Sequence, residues 1–155
     1  MTDTAPTLRR AAVADAPAAA DLWLRARAAA ADEGSIPPPV HTAESVHAWF
    51  ASHVVPHTSL WLADLDDAGL AALLVLDDGW VAQLYVDPGR TGRGIGSSLL
   101  AHAKRESPGG LQLWTFASNT GALRFYEHRG FTEVRRTDGR ENEERAPDVL
   151  LGWTG

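Results

Sequence analysis

RTGRGIGSSLL, Arg90 to Leu100, constrains this chain more than any other stretch. Glycines fall at 92, 94 and 96, the apolar run WVAQLYV ends just upstream at Val86, and a leucine-bearing helical pattern follows at once. A helix entered this way has free backbone N–H groups and a partial positive charge at its start. Glycine lets main chain approach a ligand closely and adopt conformations closed to other residues, at an entropic cost. A plain turn needs one glycine. Three at alternate positions point to an anion cradle, and to phosphate above all.

Two common phosphate sites do not fit. A P-loop needs Gly-Lys-Ser/Thr, whereas Gly96 is followed by Ser97 and Ser98. A dinucleotide fold places GxGxxG after its first strand, with an acidic residue about 20 residues on. Here the spacing is GxGxG, and the loop follows the fourth strand in order.

Around that loop the chain alternates between strand and helix signals. TLRRA reads as a short strand, and Asp15 with Pro17 opens an alanine-rich helix running to Ala31. Leu22, Ala26 and Ala29 or Ala30 form its apolar stripe. GSIPPPVH, 34 to 41, breaks regular structure. Thr42, with Ser45 nearby, starts a second helix with Val46, Trp49, Phe50 and Val54 on one side, ended by Pro56.

SLWLADL and GLAALLVL are strands joined by a turn at Asp66–Ala68, and Asp77-Asp78-Gly79 signals a hairpin into WVAQLYV. WVAQLYV is apolar on both faces, which predicts a central buried strand. Ile95, Leu99 and Ala103 give the next helix its inner face, and Pro108-Gly109-Gly110 ends it. LQLWTF is a strand. SNTGALRFYEHRGF is a helix with Ser118 or Asn119 as N-cap and Gly130 at C′. FTEVRR and VLLGW complete the order β-α-α-β-β-β-α-β-α-β-β, an α/β fold with a mixed sheet in a single domain, 1–155.

Composition excludes several classes. A formal charge of −6 argues against nucleic-acid binding, and the absence of cysteine removes disulfides and thiolate metal sites. The six histidines form no HExxH pattern, so no metal is expected. No apolar run approaches the roughly 18 residues of a membrane span, and MTDTAPTLRR lacks a signal-peptide layout. The expectation is a cytoplasmic, soluble protein.

LYVDPGRTGRGIGSSLL and SNTGALRFYEHRGF resemble the GNAT superfamily of acetyl-CoA-dependent N-acetyltransferases, and the likeness extends from LRRA through VLLGW. The resemblance implies an α/β (α+β) single-domain GNAT-like fold, a mixed, mostly antiparallel sheet of about seven strands flanked by about four helices. It implies acetyl-CoA as acyl donor. The family's loop, Gln/Arg-x-x-Gly-x-Gly/Ala, places its glycines on Gly94 and Gly96, and its first residue on Thr91, with Arg90 or Arg93 near to supply charge. Backbone and side chains of Thr91, Gly92, Arg93, Gly94, Ile95, Gly96 and Ser97 would hold the pyrophosphate. Leu84, Tyr85 and Val86 would offer main-chain groups to the pantetheine, on a strand splayed from its neighbour. Asn119 and Ala122 would meet the cofactor arm. Tyr126, seven residues after Asn119 and on the same helix face, would serve the departing thiolate as catalytic donor. From the residues alone, Asn119 also reads as a plain N-cap and Tyr126 as a core aromatic.

The acceptor side is less defined. Trp80 and Gln83 offer no base, leaving Glu33, His41, Asp77 and Asp78 as candidates by location. Glu141, Glu143, Glu144 and Asp148 crowd the segment before the last strand, which in such folds borders the acceptor opening, as does GSIPPPVH. They read as a solvated loop or as a rim attracting a cationic amine. Trp80 and Trp114 read as apolar walls or as core. With no cysteine and no Gly-x-Ser-x-Gly elbow, direct transfer to a primary amine of a small molecule or peptide in a ternary complex is expected. A homodimer stays open. A non-catalytic acyl-CoA-binding sensor, and a phosphate- or nucleotide-binding module using GRGIG alone, are the alternatives.

Overall fold

The sheet is built from hairpins whose turns the sequence announces. The structure, a computed structural model, describes residues 5–66 and 69–155. The strands are β1 (Thr7–Arg10), β2 (Ser59–Leu65), β3 (Gly69–Asp77), β4 (Trp80–Val86), β5 (Leu111–Phe116), β6 (Thr132–Thr137) and β7 (Asp148–Trp153). They form one sheet in the order β1-β2-β3-β4-β5-β7-β6. Every pairing is antiparallel except β4 with β5. Asp78 and Gly79 both take positive φ, which closes the tight β3–β4 hairpin. The turn expected at Asp66–Ala68 lies partly outside the described residues.

Four helices cover the two faces: α1 (Ala16–Asp32), α2 (from Ala43–Trp49, continued below), α3 (Ile95–Glu106) and α4 (Thr120–Glu127). Successive strand residues point to opposite faces, so neighbouring apolar residues of β3 serve two cores. Leu73 and Val75 pack with Leu22 of α1 and Phe50 and Val54 of α2, while Leu74 and Leu76 pack with Ile95, Leu99 and Tyr126.

Three local readings change. Asp15 does not cap α1 with its side chain. It sits in a 3₁₀ turn (Val13–Asp15), and its carboxylate accepts from Ala12 N–H at 2.7 Å and from Arg9 at 2.8 and 3.0 Å. Arg9 holds the Asp15 carboxyl below its usual pKa. The second helix begins as expected, with Thr42 Oγ1 accepting from Ser45 N–H at 3.1 Å. It then passes through a π turn (Phe50–Val54) before a last turn, Val55–His57, containing Pro56. That wider turn brings Phe50 and Val54 fully into the core. Finally, β4 is central, the fourth of seven strands in the sheet, but only half-buried from Gln83 onward, and the fully buried run, Ala71 to Leu76, belongs to its neighbour β3. The cause is the parting of β4 from β5.

Candidate active site

Strands β4 and β5 meet at one ladder pair, Trp80 with Gln112, supported by Gln112 N–H donating to Gly79 O at 2.9 Å. The register shift against β3 makes Ala82 an extra residue, a bulge that bends β4 just past that pair. Beyond it the two strands diverge, and the β4 edge facing β5 has no strand partner. Exposed main chain of this kind is held open at a cost unless water or a ligand satisfies it.

The opened edge of β4 leads into the glycine loop. Pro88–Arg90 form one 3₁₀ turn, begun by Asp87, whose carboxylate accepts from Gly89 N–H at 3.3 Å and from Arg25 at 2.9 Å. Gly92 (φ 79°) and Gly94 (φ 77°) take the left-handed conformation that favours glycine, and a Cβ at either would project into open space. Gly96 does not need that conformation; a Cβ there would touch Phe125 and Val86 at 3.5–3.6 Å. Gly94 is the N-cap of α3 and has no side chain to cap with, while the first intrahelical bond is Ser98 N–H to Gly94 O at 3.0 Å. The N–H groups of Ile95, Gly96 and Ser97 therefore stand at the helix start without an intrahelical acceptor. Thr91 and Arg93 are exposed beside them. Within the same loop, Arg90 Nη1 is buried with no hydrogen-bond partner among the described residues. Free N–H groups, open space over two glycines and an orphaned guanidinium nitrogen all fit a pyrophosphate.

Ser97 also has a structural task. Its hydroxyl accepts from Arg129 Nε at 3.1 Å and Nη2 at 2.5 Å, while Arg129 lies 3.9 Å over the Phe125 ring and donates to Phe125 O at 2.9 Å. Arg129 thus ties the start of α3 to the end of α4, a role no sequence motif marked.

Helix α4 is fixed at both ends. Asn119 Oδ1 accepts from Ala122 N–H at 3.2 Å, so the residue is an N-cap whose amide nitrogen is left to donate elsewhere. At the other end Phe131 N–H reaches Tyr126 O at 3.1 Å and Gly130 N–H reaches Glu127 O at 3.2 Å, with Gly130 at φ 92°. This is a Schellman motif with Gly130 at C′. It seats Tyr126 between Phe125 and Phe131, ring centroids 5.1 and 5.4 Å away. Burial pushes the Tyr126 hydroxyl far above the ordinary phenol value, and the nearby Tyr85 adds to the shift. The group is a neutral O–H donor at any physiological pH. Leu84, Val86, Ile95, Ala122 and Tyr126 share one apolar cluster. Tyr85 turns to the opposite face, its ring 6.2 Å from Trp23.

On that opposite face lies a cleft of about 520 Å³, lined by Trp23, Arg27, Pro39, Val40, His41, Ser45, Val46, Trp49, Gln83, Glu143 and Glu144. Trp23 Nε1 donates to Gln83 Oε1 at 2.9 Å, which fixes the cleft wall to β4. Arg27 donates to the Tyr85 hydroxyl at 2.9 Å. His41 and Glu143 meet across the mouth at 2.8 Å. The loop between β6 and β7 is internally braced: Asn142 donates to Ala146 O at 2.7 Å and to Asp148 at 3.1 Å, and Asp148 also accepts from Thr137. A Cβ on Gly139 would fall 2.3 Å from the Ala146 backbone.

The acceptor-side expectations divide accordingly. His41, Glu143 and Glu144 line the cleft; Glu141 borders a shallower depression beside it. Asp148 braces the loop rather than forming the rim. Asp77 and Asp78 are exposed at the β3–β4 hairpin and Glu33 is exposed at the end of α1, none of them lining the cleft. Trp80 and Trp114 are neither walls nor core: they are 37% and 39% exposed, and Arg135 lies 5.3 Å over Trp114. The aromatic walls are Trp23 and Trp49.

The sequence model of the acetyltransferase (GNAT) family matches residues 23–131. The chain belongs to the acetyltransferase (GNAT) family. A curated relative, the peptidyl-lysine N-acetyltransferase YjaB of Salmonella typhimurium, is 32% identical over 87 residues, 56% of this chain and 59% of that protein. The matched stretch is thus less than two thirds of the relative's length. The solved apo-form of YjaB from Escherichia coli superposes with a TM-score of 0.77 at 22% identity, covering 98% of this chain and 99% of that one. YncA from Salmonella typhimurium, solved with its cofactor acetyl-CoA, superposes with a TM-score of 0.70 at 17% identity, covering 97% and 94%. At those identities the likeness to the solved structures is one of fold.

In this GNAT chain the family match runs from Trp23, in the cleft wall, to Phe131, the last residue of the Schellman motif, so it includes residues on both faces of β4. Trp23 and Arg27 go unmarked as site residues in the sequence, and Trp49 reads there only as part of a helix's apolar side. The available signal was Arg27 four residues after Trp23, an i, i+4 pair on one face of an otherwise alanine-rich helix. No helix of the described residues is long and apolar enough to cross a membrane. Among those residues, no group of three or more His, Asp or Glu could hold a metal ion.

The Asn119 cap gives a direct test of α4. Asn119→Ala is expected to lower stability by about 1 kcal/mol, read from urea denaturation. An unchanged midpoint would show that the capping bond contributes nothing.

Proposed function

We propose that this protein is an N-acetyltransferase that moves an acetyl group from acetyl-CoA directly to a primary amine of a small molecule or peptide, in the cytoplasm. The observation that carries the reading is the parting of β4 from β5. It leaves an unpaired strand edge between two different sites: the uncapped start of α3 on one side and a partly open cleft, with aromatic walls and charged side chains, on the other. A pure phosphate module needs only the first, and a sensor has no use for an acceptor-sized cleft meeting the same strand.

The donor's pyrophosphate is held by the N–H groups of Ile95, Gly96 and Ser97, with Arg90 nearby, and its arm lies along Leu84, Tyr85 and Val86 and past Asn119 and Ala122. The amine approaches from the Trp23–Trp49 cleft. Its lone pair forms the C–N bond, the C–S bond breaks, sulfur leaves as thiolate and the nitrogen sheds a proton. A thiol's pKa is about 8.5, well below that of the buried phenol. Complete transfer from Tyr126 to sulfur is therefore uphill. Tyr126 stabilises the developing thiolate by donating a hydrogen bond, and the amine's proton, relayed through water, ends on sulfur.

Thermal denaturation with and without acetyl-CoA, followed by a free-thiol assay with an amine panel, tests the reading. At 100 times the dissociation constant, acetyl-CoA should stabilise the fold by about 2.7 kcal/mol, and ATP should not. An unchanged melting temperature at millimolar acetyl-CoA sinks the acyl-CoA reading. Binding without thiol release across the panel favours a sensor. Isolation of an acetyl-enzyme rules out direct transfer.

A further inference from the structure

The cleft contains a cation with donors to spare. The Arg27 side chain is only 14% exposed, and its guanidinium lies 4.7 Å over the Trp23 ring. One nitrogen donates to the Tyr85 hydroxyl at 2.9 Å. The nearest carboxylate oxygen, on Glu144, is 3.7 Å from Nη2, outside hydrogen-bond range. A guanidinium carries five N–H donors in a planar fork, and among the described residues Arg27 makes that single hydrogen bond. Glu144 is close enough to balance the charge but accepts none of these N–H groups, so most of the fork's hydrogen-bonding capacity is unmet inside the cleft. Two parallel bonds to a ligand carboxylate would use that capacity and need not break an existing one.

We infer that the acceptor is a small amine that also carries a carboxylate, an α-amino acid or a close analogue, and that Arg27 is the specificity-determining residue that holds the carboxylate. The inference rests on the acetyl-transfer reading and names the substrate class for it. Tyr85 ties Arg27 to β4, so the carboxylate anchor and the proposed donor groove are built on the same strand. Glu143 and Glu144 line the same cleft as Arg27, a set of opposite charges complementary to a zwitterion. A diamine or a lysine side chain would bring no carboxylate to the open donors of the Arg27 fork. The volume of about 520 Å³ falls within the usual range of small-molecule sites. Trp23, Trp49 and Val46 offer apolar walls to the rest of the acceptor.

The test compares kcat/KM for phenylalanine, leucine, methionine and glutamate, each against its own α-carboxamide, with an amidated lysyl peptide as a further acceptor. Wild-type protein should prefer at least one free acid over its amide by roughly 10- to 100-fold, the scale of hydrogen bonds to a charged group. Arg27→Gln should bring that ratio close to one, with acetyl-CoA affinity by calorimetry unchanged. Arg27→Lys, which keeps the charge but not the fork, should fall between. An amide or the lysyl peptide preferred by wild type overturns the inference, as does an acid preference that survives Arg27→Gln. Should Arg27→Gln not fold, the wild-type ratio and Arg27→Lys decide. Thiol release with the lysyl peptide alone leaves acetyl transfer standing and removes the amino-acid acceptor. No acetyl-CoA binding at all removes both.

Discussion

Tyr126→Phe is expected to fold normally, bind acetyl-CoA with little change and turn over more slowly by a factor on the order of 10². The ring is held by Phe125 and Phe131 and by the Schellman bonds of its own main chain, none of which involves the hydroxyl. The proposed pyrophosphate cradle lies at the start of a different helix. What disappears is one neutral donor at the proposed leaving-group position. The loss should appear in kcat rather than in the donor's KM, because the interaction strengthens only as charge builds on sulfur. The raised phenol pKa adds a second signature. An ordinary tyrosine is half ionised at about pH 10. Tyr126 keeps its proton beyond that point, so rates measured up to pH 10 should show no alkaline fall that Tyr126→Phe removes. A variant with wild-type kcat, under conditions where chemistry limits the rate, would make Tyr126 a packing residue and leave water as the donor.

Gly94→Val should abolish the acetyl-CoA-induced rise in melting temperature. Gly94 sits at φ 77°, where a β-branched residue is strained, and its missing Cβ faces open space beside the first N–H groups of α3. Valine would fill that space and push the N-cap toward an ordinary conformation, turning the N–H groups away from a common anion. The free protein should lose about 1–2 kcal/mol from the strain itself. Gly89→Ala is the matched control, because Gly89 has no positive φ and no neighbour within 4 Å of a Cβ. It should keep the shift. Equal shifts in wild type and Gly94→Val would place the phosphate elsewhere.

Most of the element order was legible because its signals are local. Hairpin turns, the Thr42 cap, the Gly130 terminus and the two-sided apolar strands each follow from a few neighbouring residues. Asp15 misled because it satisfies the rule for a cap while a stronger partner, Arg9, claims its carboxylate. The π turn at Phe50–Val54 was hidden because one extra backbone residue per turn leaves the apolar spacing almost helical. The burial of β4 was overstated because its apolar residues face an opening rather than a neighbour, and composition does not distinguish the two. On the acceptor side, His41 and Glu143 are 102 positions apart and meet only through the fold. Trp80 and Trp114 look like walls in sequence because large aromatics usually seek cover, yet the topology leaves both at the surface.

The braced loop between β6 and β7 separates two kinds of position. Gly139, Asn142 and Asp148 make the frame, since the backbone cannot keep its course without the first and the other two carry its internal bonds. Glu141 and Glu143 are exposed and stand outside those bonds, whereas Arg145 gives its N–H to Asn142 O at 3.2 Å from a left-handed φ of 55° and belongs to the frame. A scaffold divided in this way can drift at its outward positions while its frame stays fixed. Selectivity for new acceptors would then be reachable by single substitutions, without the insertions and loop rebuilding that a floppy rim would require, which makes these two outward positions the natural sites for a saturation library.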